Sequence, residues 1–100
     1  MERRKEPRLK ANQPVMVTSL AMMGMPPMSG CVLDMSGSGL QLRLPNPVPC
    51  GSSVKVESQH VTMLGEVSRC QDNREDFIVI VRILNTAPVA GKPSRAIMEV

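Results

Sequence analysis

A chain of 100 residues makes one domain with a single modest core, and its 42% hydrophobic content excludes global disorder. The net charge of +3 sits wholly at the start, where the first ten residues hold five basic and two acidic groups; the other ninety balance. That excludes a broad basic face for tracking nucleic acid, and a single aromatic, Phe77, leaves no rings for stacking successive bases.

In chain order, residues 1–12 form a basic arm with Leu9 as its one apolar anchor before Ala11. Such a composition predicts an arm that is mobile until something orders it. No apolar stretch follows directly, so no secretory leader is expected. No run approaches the roughly 20 apolar residues that cross a bilayer as a helix, so membrane insertion is not expected. Pro14 then opens an apolar, β-branched strand over Val15–Met22, and Gly24, Pro26, Pro27 and Gly30 cluster as a loop. Cys31–Met35 reads as a short strand, followed by a Ser36-Gly37-Ser38-Gly39 turn. Leu40, Leu42 and Leu44 alternate with Gln41 and Arg43, the clearest period-2 signal in the chain. Val54 and Val56 alternate with Lys55 and Glu57. A turn at Ser58–His60 leads to a strand over Val61–Cys70, with Val61, Met63 and Val67 on one parity. After the polar turn Asp72–Asp76, Phe77–Leu84 is apolar on both parities, as in a strand covered on two sides. From Asn85 on, with Pro88, Gly91 and Pro93, the tail over 86–100 reads as loose, with Ser94 able to cap a helical turn over Arg95–Val100.

Six short strands punctuated by turns predict an all-β sandwich or barrel over 13–85. With so few aromatics, Val, Ile, Leu and Met must fill the core. Cys31, Cys50 and Cys70 are odd in number and form no C-x-x-C pair, which fits a reducing cytoplasm and predicts neither a disulfide framework nor a metal site. No cofactor is expected. His60, the only histidine, falls in a turn, and Asp34 and Ser36 share one side of one strand, so a hydrolytic set of the three is not expected and the chain reads as a non-enzyme.

Two groups of residues carry chemistry. Arg4 and Arg8 are spaced R-x-x-x-R, and Asp34, Ser36 and Gly39 are spaced D-x-S-x-x-G, with 25 residues between Arg8 and Asp34. The pair resembles the signature of the PilZ domain family, and the likeness runs from about Arg3 to Leu84. It implies a six-stranded antiparallel β-barrel that binds the bacterial second messenger cyclic di-GMP, with the arm wrapping the ligand against the barrel. On that resemblance Arg4 and Arg8 clamp phosphate or guanine, and Arg3 adds less specific attraction. Asp34 accepts from guanine N–H groups, Ser36 donates or accepts, and Gly39 allows positive φ and close approach. The physical chemistry agrees: a guanidinium fork matches both a phosphate and the O6/N7 edge of guanine. Ligand ordering of the arm would alter contact with an unidentified protein partner, and oligomers are compatible with this. The alternatives are a PilZ-like adaptor that binds no nucleotide, against which the five intact motif residues argue, and a small nucleic-acid-binding barrel. The chain departs from the family at Val79-Ile80-Val81-Arg82-Ile83, where Ile80 stands for a usual Gly and Ile83 for a usual Phe. Bulk at Ile80 is expected to seat a helix or a second subunit.

Overall fold

The computed structural model describes residues 11–21 and 24–89. Six strands follow one another without a helix among them: β1 (Pro14–Ser19), β2 (Met28–Ser36), β3 (Gly39–Leu44), β4 (Ser53–Glu57), β5 (Val61–Asp72) and β6 (Phe77–Pro88). All pairings are antiparallel, and the order β1-β2-β3-β6-β5-β4 closes on itself through β1 and β4. The all-β expectation thus resolves to a six-stranded barrel. Closure pairs most strand edges and removes the open edges of a flat sheet.

Period-2 alternation builds the interior. Leu40, Leu42 and Leu44 of β3 point inward and are at most 1% exposed, while Gln41 and Arg43 point out. Val15, Val17, Met28, Val32, Val48, Val54, Val56, Val61, Met63, Val67, Val79 and Val81 complete the packing. Isoleucine is absent from the buried set among the described residues. Ile78 and Ile80 lie on the outer face of β6 because its inward parity falls on Val79 and Val81, and Ile83, of that same parity, packs only partly against the core. The expectation of an isoleucine-bearing core is corrected accordingly.

Several strand ends differ from the sequence reading, three of them by three residues or more. β2 begins at Met28, because Ser29 and Gly30 pair with Met16 and Val15 rather than joining the preceding loop. β1 stops at Ser19, after which the Leu20 N–H donates to the Ser53 carbonyl. β6 continues past Asn85 to Pro88, which pairs with Val61, so residues 86–88 are strand and not loose tail. The helical turn expected over Arg95–Val100 lies outside the described residues.

Two glycines set the local geometry. Gly65 takes an inward position on β5 where a Cβ would stand 2.6 Å from the Arg82 carbonyl oxygen, so no larger residue fits there without a shift. Beside it the register slips between Leu64 and Gly65, placing Leu84 as an extra residue in β6. Gly37, at φ 57, opens the two-residue turn that joins β2 to β3 and closes the Ser36–Gly39 pair. Positive φ at the first central residue followed by Ser38 matches the φ pattern of a type II′ hairpin turn.

Candidate functional site

The D-x-S-x-x-G residues converge on the outer face of the β2–β3 hairpin. A register slip in β2 between Val32 and Asp34 sets the outward side chains there: Asp34 pairs with Gln41 and Ser36 with Gly39. β3 then pairs with β6, so Gln41 stands beside Ile80 and Gly39 beside Arg82. Asp34, Ser36, Gly39, Gln41 and Ile80, with Leu40, line one shallow cavity of about 160 Å³. Asp34 is the single ionisable group among its described lining residues, and both Asp34 and Ser36 are exposed. Neither the Asp34 carboxylate nor the Ser36 hydroxyl bonds to another described residue. They therefore do not act as Asx or Ser turn caps, and their polar atoms stay open to an incoming group.

Gly39 serves a different purpose from the one its motif position implied. Its φ is not positive; that conformation belongs to Gly37. A Cβ on Gly39 would meet only the Ser36 carbonyl oxygen, at 3.4 Å, and otherwise enter open space. The missing side chain keeps the floor of the cavity clear.

Arg3, Arg4 and Arg8 lie outside the described residues. The root of their arm is described. Asn12 N–H donates to the Val32 carbonyl at 2.6 Å, and Val32 N–H donates to the Gln13 carbonyl at 2.9 Å. β1 runs antiparallel to β2, with Pro14 opposite Cys31. The chain upstream of Asn12 thus leaves from a point on β2 just short of Asp34.

A larger cavity of about 630 Å³ opens beside the β2–β3 turn, between Met35, Gly37, Ser38 and the Ile83–Thr86 stretch of β6. Its described lining has no ionisable side chain. Volume favours this cavity, while the smaller one holds the D-x-S-x-x-G residues and, in Asp34, an acceptor for N–H donors.

Elsewhere the polar groups serve turns. Ser58 Oγ accepts from the His60 and Val61 N–H groups, which fixes the β4–β5 turn and puts His60 on a connection that does not border β2. Asp72 and Asp76 hold the β5–β6 turn, and Asp76 also meets Arg43 Nε at 3.2 Å. No cluster able to hold a metal ion occurs among the described residues, and none of their helices is long and apolar enough to cross a membrane. Leu40, Gln41 and Ile80 are the cavity residues that motif reading missed. Gln41 faces Asp34 across the β2–β3 hairpin, and Ile80 arrives through pairing between β3 and β6, which are not consecutive strands.

Comparison with curated proteins and with solved structures finds no match. The family model of the PilZ domain matches residues 2–92, which covers both motifs and all six strands. The chain belongs to the PilZ domain family, whose members are cyclic di-GMP-binding receptors and adaptors.

Proposed function

We propose that this chain is itself a cyclic di-GMP receptor that acts without catalysis and signals to a protein partner. One observation carries the reading: the polar groups of Asp34 and Ser36 share a cavity that starts two residues along β2 from Val32, where the arginine arm is rooted. The Asp34 carboxylate is suited to accept from the N1–H and N2–H groups of a guanine. Ser36 and Gln41 add groups that donate or accept. Ile80 offers an aliphatic shelf for a purine face in a chain without Trp or Tyr.

Size explains why the arm is needed. Ligand sites commonly measure roughly 300–1,000 Å³, and the cavity at Asp34 holds about 160 Å³. A cyclic dinucleotide resting there needs a second wall, and the arm has the matching chemistry. Arg4 and Arg8 supply bidentate forks for phosphate or guanine, and Arg3 adds attraction. Arg8 lies four residues before Asn12, and four extended residues span up to ~14 Å. Asp34 is two residues beyond Val32 along β2, a distance of ~7 Å. The reach suffices before the arginine side chain is counted. Ordering the arm on the ligand would present a new surface to the partner. The three cysteines are free, consistent with action in the cytoplasm.

Isothermal titration with cyclic di-GMP tests this. We expect saturable binding by the native chain and a loss of about 1.5–3 kcal/mol for each charged hydrogen bond removed in Arg8→Ala. Undiminished affinity in that variant refutes the arginine clamp, and no binding by the native chain leaves the adaptor reading in its place. Amide exchange of the arm with and without ligand reads its ordering; equal protection in both states rules the switch out. Tighter retention of single-stranded RNA than of the dinucleotide in a filter assay would point to a nucleic-acid-binding barrel.

A further inference from the structure

One charged pair borders the proposed site and belongs to neither motif. Arg82 on β6 is the direct cross-strand partner of Gly39, which puts their Cα atoms about 5 Å apart. Across the barrel surface the register runs Ser36, Gly39, Arg82, Glu66 over β2, β3, β6 and β5. Arg82 Nη2 donates to Glu66 Oε1 at 2.9 Å, and the two side chains are 60% and 42% exposed. Gly39 has no side chain, so nothing on β3 stands between the Ser36 column and the guanidinium of Arg82.

Charge makes this arrangement consequential. Among the described residues the single ionisable group lining the cavity is Asp34, which repels phosphate. The arm is rooted on β2 at Val32. On the β6 side the cation in register with Gly39 and Ser36 is Arg82, held by a one-point contact with the Glu66 carboxylate, while Arg69 stands one strand further out, opposite Ile80. Exposed ion pairs of this kind are weak, because water screens them and both side chains lose freedom. A phosphate offers the same guanidinium a bidentate contact.

We infer that Arg82 is a further ligand-binding residue, held in reserve by Glu66 and transferred to a phosphate of the bound dinucleotide. This rests on the receptor reading above. The transfer leaves Glu66 as an unpaired negative charge on β5, opposite Ser53 of β4. Ligand capture at β2–β3 is thereby registered on a strand that the ligand does not touch.

Titration calorimetry with cyclic di-GMP on the full chain tests it, using the native protein, Arg82→Gln, Glu66→Gln, the double variant and Arg8→Ala. Arg82→Gln is expected to weaken binding roughly tenfold, the scale of one charge-assisted contact. Glu66→Gln is expected to tighten binding several-fold, because the competitor is removed, and the double variant is expected to match Arg82→Gln. A purely structural role for the pair would not give tightening in Glu66→Gln. Unchanged affinity in Arg82→Gln, or no tightening in Glu66→Gln, while the native chain binds and Arg8→Ala binds more weakly, overturns the transfer and leaves the receptor reading standing. No binding by the native chain removes both.

Discussion

The two faces of β3 lie within one strand and obey different rules. Inward, Leu40, Leu42 and Leu44 are sealed against Val79, Val81 and their neighbours, and each is at most 1% exposed. Outward, Gly39 and Gln41 border a cavity and contact little. The inner face is constrained by volume, so any change there is felt by the whole barrel. The outer face carries no such packing constraint, so changes there are expected to leave the fold alone. On the receptor reading, the alternation that builds the barrel separates stability from recognition residue by residue.

The separation is open to test. The largest effect belongs to Leu42→Ala, which deletes a fully buried side chain and is expected to cost about 2–5 kcal/mol. Denaturant unfolding measures it, and a loss near zero would mean the interior is not packed as described. Next, Gly65→Ala forces a methyl against the Arg82 carbonyl and is expected to cost about 1–3 kcal/mol of stability by overpacking. A variant as stable as the native chain would show that the β5–β6 register slips freely. On the outer face, Asp34→Ala is expected to lose about 1.5–3 kcal/mol of affinity for cyclic di-GMP, the range for hydrogen bonds to a charged group. Its unfolding midpoint should hold, since exposed substitutions usually change stability by about 0.5 kcal/mol or less. A large stability loss in Asp34→Ala would collapse the distinction between the faces. The smallest effect is expected at Lys55→Ala, which removes an exposed contact with Glu57 at 3.7 Å and should shift stability by about 0–1 kcal/mol.

Much of the barrel was legible because alternation survives without context. The Leu40–Leu44 pattern and the Val54/Val56 pair mark β3 and β4, and Gly65 fills the gap in the inward series Val61, Met63, Val67. The ends were less legible. Gly30 looks like part of a Pro-rich loop, yet a glycine in a strand is suited to a site where the neighbouring backbone approaches closely, as β3 does through the Arg43 carbonyl, 2.6 Å from where a Cβ would stand. Pro88 looks like a terminator, but it sits at the end of β6 with Val61 as its strand partner, where proline is tolerated. In the site, Asp34 and Ser36 were readable from spacing along one strand. Ile80 was not, because it becomes a neighbour only through the β3–β6 pairing, which skips two strands of sequence, and Gln41, though it faces Asp34 across the β2–β3 hairpin, belongs to no motif. The positive φ expected at Gly39 belongs to Gly37, because spacing does not reveal which of two nearby glycines occupies the bend.

The reciprocal backbone bonds joining Asn12 and Gln13 to Val32 turn the upstream chain into a tether of set origin. On the receptor reading, the number of residues between Asn12 and the first arginine behaves as a gauge. Lengthening it leaves the barrel untouched yet dilutes the arginines around their target, since the cost of closing a loop grows with its length. Affinity can then be tuned by insertion alone, without altering any group that touches the nucleotide.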